Sequence, residues 1–187
     1  QMQYELTTPC TAADLAPLKA GDTVLLSGVV YTARDQAHKR MLEALDKGEK
    51  LPFDLEGSAI YYVGPTPERP GEIIGSAGPT TSGRMDAMSP RLLDLGNKIM
   101  IGKGKRDAAV KEAVVRNGAV YLAALGGAGA LMAQSVKTLE VIAWPDLGCE
   151  AVRRLTVEDM PLTVILDAHG GDLYLSGPEA YREAQVK

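Results

Sequence analysis

Short apolar, β-branched runs alternate along this chain with segments of helical spacing, and glycine or proline marks nearly every changeover. That alternation is what strand–helix units leave in a sequence, and it restricts the fold to the α/β class. The first strand is predicted over 22–31, rich in Val and Leu and ending just before Arg34. A helix follows from Asp35 to Lys47, with Met41, Leu42 and Leu45 at helical spacing and Asp35 in its first turn. Leu51-Pro52 breaks that pattern. Residues 59–63 read as a second strand closed by Gly64-Pro65-Thr66-Pro67, and Ile73-Ile74-Gly75 leads into a Gly/Thr-rich stretch. Ser89-Pro90 starts a short helix, with Ser as N-cap and Pro at the first position, and Gly96 stops it. A strand over 98–101 precedes a helix over 107–116 that Asn117-Gly118 terminates. A strand over 119–124 then meets Gly126-Gly127-Ala128-Gly129, which opens a further helix. Later strands are expected at 139–144, 162–167 and 172–175, the last two forming a hairpin through Gly170-Gly171, with a terminal helix over 178–185. The 187 residues contain no repeat, low-complexity run or linker, so residues 1–187 read as one mixed α/β domain.

Composition narrows the function classes. No stretch approaches the roughly 18–20 uninterrupted apolar residues of a membrane span. The opening Gln1-Met2-Gln3-Tyr4-Glu5 has neither the basic nor the apolar region of a secretion signal. Cys10 and Cys149 are alone and far apart, which favours free thiols and a cytoplasmic setting over a disulfide. Two cysteines are also too few for an iron–sulfur cluster, and His38 and His169 lie outside any zinc-type spacing. The expectation is a chain with no metal of its own.

The charge distribution points to a small anion. The chain carries 24 Asp+Glu against 20 Lys+Arg, a net charge of −4. Between Arg84 and Arg106, however, six Lys/Arg stand against two Asp, leaving that segment at +4 and the remainder at −8. A cationic cluster on an acidic chain fits a specific anionic ligand better than a polyanion. Within it, Gly78-Pro79-Thr80-Thr81-Ser82-Gly83-Arg84 is a turn whose free N–H groups can form an anion nest, or else a plain loop held by Ser/Thr turns. Thr hydroxyls are weak bases, but surrounding one with Arg34, Arg84 and Lys103 in a dry cleft would favour its alkoxide. Gly102-Lys103-Gly104 flanks an ammonium with two residues that lack side chains, so a bound anion can reach both the charge and the backbone. Gly104 stands where a phosphate loop needs Ser or Thr, which excludes that motif. Gly126 to Gly129 lacks the third glycine of a dinucleotide turn and is explained equally by close helix–strand packing. Arg34, at a strand-to-helix junction, can grip a carboxylate with two parallel hydrogen bonds or pair with an acid such as Asp35. His38, one helical turn on, reads as a packing or supporting histidine. Trp144 and the tyrosines Tyr61, Tyr62 and Tyr121 read as strand residues of the core or an interface.

Thr32-Ala33-Arg34-Asp35 with His38, then the Gly78–Arg84 turn with Met85, then Gly102-Lys103-Gly104, resemble the class I fumarase and tartrate dehydratase family. The match is to the C-terminal domain, which is a separate β subunit in two-subunit members. Leu6-Thr7-Thr8-Pro9, Ala20-Gly21-Asp22 and Asp167-Ala168-His169-Gly170-Gly171 also fit, so the resemblance covers nearly the whole chain. It implies a swivelling β/β/α domain, three layers with mixed sheets. It further implies a hydro-lyase that reversibly removes water from a 2-hydroxy dicarboxylate, its [4Fe–4S] cluster held by three cysteines of a partner α subunit. Carried across, Arg34, Thr81, Arg84 and Lys103 would bind substrate, Thr80 would take the C3 proton, and Asp35 and His38 would support them. A non-catalytic anion-binding or assembly module on the same fold is the alternative, and a nucleotide-binding regulatory domain a second.

Overall fold

The computed structural model describes residues 2–75, 78–124 and 129–176. Its elements run β1 (Gln3–Thr7), α1 (Ala12–Leu15), β2 (Thr23–Thr32), α2 (Asp35–Asp46), β3 (Ala59–Tyr61) and a 3-10 turn (Ser82–Met85). Then come α3 (Ser89–Asp94), β4 (Ile99–Gly102), α4 (Ala108–Asn117), β5 (Val120–Ala123) and α5 (Gly129–Ser135). The last are β6 (Val136–Ala143), a second 3-10 turn (Pro145–Glu150), β7 (Val152–Leu166) and α6 (Leu173–Ser176).

Strands β1 to β5 pair in parallel in chain order, and β7 runs antiparallel to β5, β6 and β2. Because β7 meets β5 near one end and β2 along most of its length, the seven-stranded sheet closes on itself through β2–β3–β4–β5–β7. Strands β1 and β6 are left as flanks, each paired with one strand. Closure needs a bend in β2. It falls between Leu26 and Gly28, where the register shifts and Gly28 adopts φ +105, with Thr8 too close to admit a Cβ.

Alternation along the short strands separates three layers. Ala59, Tyr61, Ile99, Ile101, Val120 and Leu122 point into one apolar cluster, facing Val24, Leu26, Leu155 and Val164 of the long strands. Ile60, Met100, Tyr121 and Ala123 point the other way, onto Met41 of α2, Leu92 and Leu93 of α3, and Val110 and Val114 of α4. Strands buried on both faces read as continuous apolar runs, which is why β3, β4 and β5 stand out in the sequence. The expected α/β architecture with a mixed sheet is what the chain adopts.

Several elements depart from expectation. Residues 172–175 were expected as a strand but begin a helical turn. Asp172 accepts from the Tyr174 N–H, and its carbonyl takes the Leu175 and Ser176 amides. Gly170-Gly171 turns the chain back for a single antiparallel bridge, Leu166 to Asp172, and not for a two-stranded hairpin. The turn wraps around Asp167, whose carboxylate accepts the His169 and Gly171 amides and the distant Ala20 amide. Ser89 is the first residue of α3 rather than its cap, because its hydroxyl is drawn into a buried network. Trp144 falls just past β6 with φ 55, and Arg40 lies over its ring. The expected strand over 162–167 is only the end of β7, whose first ten residues carry the charged pairs Arg153-Arg154 and Glu158-Asp159 and end on Pro161, weak strand signals. The expected helix over 178–185 and the core of the Gly126–Gly129 turn lie outside the described residues.

Candidate functional site

The carboxyl ends of parallel strands are where α/β folds gather ligand groups. Here the ends of β2, β3 and β4 carry the predicted residues to one rim. Strand β2 delivers Arg34 to the N-terminus of α2, and the Ala33 amide is tied to the Tyr61 carbonyl of β3. The Arg34 guanidinium lies on Gly64, where a Cβ would come within 3.0 Å of both Arg34 Nη1 and the Cys149 carbonyl. Thr80 docks onto β3 as well, its amide donating to the Tyr62 carbonyl at 2.7 Å. Thr81 bridges to Lys103 at the end of β4, and the Ser82 amide donates to the Lys103 carbonyl at 2.8 Å. Arg84 closes the circuit, with Nε 3.4 Å from Asp35 Oδ2. Arg34, Thr80, Thr81, Arg84 and Lys103 are therefore neighbours through the backbone that presents them.

Arg34 answers the question its position posed. The acid beside it, Asp35, faces Arg84 instead, and among the described residues Arg34 makes no ion pair. Its Nε is buried without a hydrogen-bond partner, as is Asp35 Oδ1. Leaving a charged group's donor unmet inside a protein costs on the order of 1–3 kcal/mol, an arrangement typical of a site that a ligand completes. His38 is 1% exposed and donates through Nδ1 to the Arg34 carbonyl at 2.9 Å, since a carbonyl can only accept. Burial pushes its pKa down to about 4, partly opposed by that carbonyl, so the ring is neutral near pH 7. Asp35 thus holds Arg84, and His38 the Arg34 backbone.

The cationic cluster of the sequence is only partly a cluster in space. Arg91 pairs with Asp46 at 2.7 Å on the helical layer, and Lys98 precedes β4, at the end of that strand away from Lys103. Arg106 is buried outright. Its guanidinium donates to Asp86 at 2.6 Å and Ser89 at 2.9 Å, and lies 4.8 Å and 5.2 Å from the Tyr121 and Tyr62 ring centroids. Burial opposes its charge, but Tyr62, Tyr121 and Asp86 outweigh that and hold its pKa above the ordinary arginine value. This network, with Ser82, Asp86 and Ser89, escaped the sequence reading. The available signal was that Tyr62 and Tyr121 sit in apolar runs yet carry hydroxyls, which buried tyrosines must satisfy. Gly102 belongs to it too, because a Cβ there would strike Ser82 Oγ and the Tyr62 ring.

The chain's own donors do not suit an iron–sulfur cluster. Cys10 is buried with its Sγ on the Thr7 carbonyl, and burial, with Asp14 nearby, pushes its thiol up to about 11, far from a thiolate. Cys149 is exposed and unpaired. Among the described residues no three His, Cys, Asp or Glu side chains gather as a metal site, and no helix is long and apolar enough to cross a membrane. What the rim offers is three cations, two adjacent hydroxyls and one acid, suited to holding a small dianion and to proton transfer beside it.

Comparison with known proteins fits that geometry. The model of the Fumarase C-terminus family matches residues 1–177. The chain is 42% identical over 170 residues to a putative L(+)-tartrate dehydratase subunit beta of Methanocaldococcus jannaschii, covering 88% of this chain and 87% of that one. It is 32% identical over 187 residues to the L(+)-tartrate dehydratase subunit beta of Escherichia coli strain K12, covering 97% and 92%. To the aerobic class I fumarate hydratase of the same strain it is 38% identical over 164 residues, covering 87% of this chain and 30% of that one. The chain thus spans less than a third of the length of the fumarate hydratases it matches.

Proposed function

The chain belongs to the Fumarase C-terminus family, and on that footing we propose that residues 1–187 form the single-domain β subunit of a hydro-lyase acting on a 2-hydroxy dicarboxylate. Malate to fumarate, or tartrate to oxaloacetate, is the reaction class. The observation that carries this reading is the meeting of Arg34, Thr80, Arg84 and Lys103 at one rim with Arg34 free of any acid among the described residues. Arg34 and Lys103 grip the substrate carboxylates, and Arg84, oriented by Asp35, adds a third cation. Thr81 donates to the same dianion. Removing the proton at C3 spreads negative charge onto the adjacent carboxylate, and fixed cations stabilise it as it develops. They also lower the cost of an alkoxide at Thr80, which takes that proton.

With Arg34, Arg84 and Lys103 assigned to the carboxylates, the reading leaves the departing hydroxyl to a second body. A partner α subunit carrying a [4Fe–4S] cluster, working with this chain in the cytoplasm, completes it. The near full-length match to two β subunits supports that division. The test is a complex reconstituted from both chains. Arg84→Ala and Lys103→Ala should each cut kcat/KM by at least a hundredfold while circular dichroism stays unchanged. Thr80→Ala should cost more than the roughly tenfold at the low side of proton-transfer catalysis. Near-wild-type rates for the two cation variants would end the assignment. Tight dicarboxylate binding without turnover in the wild-type complex would point to the non-catalytic module instead.

A further inference from the structure

We propose that the Tyr121 hydroxyl is a positioning group for this reaction, setting the Thr80–Thr81 turn against Lys103 from inside the core. The inference rests on the hydro-lyase reading of the rim. Tyr121 is fully buried on β5, on the face turned toward the helices, so its hydroxyl lies behind the rim and not on it. Its oxygen lies 2.8 Å from Ser82 Oγ and 2.8 Å from the Gly104 carbonyl. A carbonyl only accepts, so Tyr121 donates to Gly104 and the Ser82 hydroxyl donates to Tyr121. The order of protons along this chain is thereby fixed.

Each end of the chain sits one residue from the chemistry. Ser82 follows Thr80-Thr81 directly, and Gly104 follows Lys103 directly. The backbone joins the two loops through the Ser82 amide on the Lys103 carbonyl. Tyr121 adds a side-chain bond to both, braced by the Arg106 guanidinium over its ring. Proximity is preserved only if the loops cannot slide, and a displacement near 1 Å costs on the order of a hundredfold in rate. Gly102 is consistent with the same tight fit, since no side chain is tolerated between Ser82 and Tyr62.

The experiment is Tyr121→Phe in the reconstituted complex, which removes one oxygen and keeps the ring. The expected result is a tenfold to hundredfold fall in kcat with KM changed less than threefold. Ser82→Ala, which cuts the chain at its other link, should reproduce that loss. Because the two groups act as one unit, the double variant should be no slower than the slower single variant. A kcat within twofold of wild type for Tyr121→Phe, or losses that multiply in the double variant, would overturn the proposal. A purely structural hydroxyl would lower the melting temperature while leaving kcat of the folded enzyme alone. If the wild-type complex itself proves inactive, the hydro-lyase reading fails, and amide exchange decides the loop coupling separately. Exchange at the Ser82 N–H should then rise at least tenfold in Tyr121→Phe, and unchanged exchange sinks the coupling.

Discussion

Arg106 carries its charge on a side chain with 0% exposure, a condition a protein sustains only by surrounding the ion with partners. Asp86 supplies the countercharge, Ser89 a hydroxyl, and the two tyrosine rings their faces. Arg106→Ala would strand Asp86 beside an emptied pocket, and the loss should be about 3–5 kcal/mol in unfolding free energy. Chemical denaturation of the isolated chain measures it, and a loss under about 1 kcal/mol would mean the network relaxes without its centre. By sequence, Arg106 was indistinguishable from Lys105 beside it. Which member of a basic run faces a ligand and which turns inward depends on what stands behind it, here Tyr62 and Tyr121 from two other strands. Arg34, Thr80, Arg84 and Lys103 were legible because each sits at a strand end or on a Gly/Pro-shaped turn, where local chemistry already restricts the backbone.

At the scale of elements, α4 is the clearest case of local signals sufficing. Asp107 caps it, accepting from the Val110 amide at 3.0 Å, and Gly118 ends it in the left-handed region at φ 62. A Cβ at Gly118 would also come within 2.7 Å of the Ala12 Cβ in α1. Gly118→Ala therefore combines a strained backbone with a clash and should cost roughly 1–3 kcal/mol, read from the urea midpoint at unchanged slope. An unaltered midpoint would mean that α1 moves aside freely. Strand β7 is the opposite case. Its outward residues Arg154, Glu158 and Asp159 belong to a strand that carries one face to solvent, and Pro161 sits in the ladder opposite Leu25. Propensity argues against a strand there. Pairing with β2 along one edge and with β6 and β5 along the other overrides it. The α6 turn likewise follows from contacts, since buried Leu173 and Tyr174 fit a strand pattern as readily as a helix.

For the molecule as a whole, His38 links the site to acid stability. Its pKa falls from 6.5 in the unfolded chain to about 4 in the fold, chiefly by burial, with Arg106 pushing the same way and the Arg34 carbonyl and Asp35 opposing. Between these values the unfolded state binds a proton that the native state does not, so stability rises with pH across that window. It is fully present above pH 6.5 and lost as pH falls toward 4, a change of roughly 3 kcal/mol. Thermal melts of His38→Gln should show a flatter dependence between pH 6.5 and 4 than the wild type, and parallel curves would remove His38 from that role. The same long-range logic governs the fold. Residue order alone determined the α/β class, the strands β3 to β5, helices α2 and α4, and the motifs that end up at the rim. Those follow from period, capping and turn residues, all of which act within a few positions of chain. Closure of the sheet through β2 and β7, the inward turn of Arg106, the clasp of Ala20 on Asp167 and the pairing of Asp35 with Arg84 were decided in three dimensions. Each joins groups 20 to more than 140 residues apart, and burial and hydrogen-bond satisfaction at that range act only once the chain has folded back on itself.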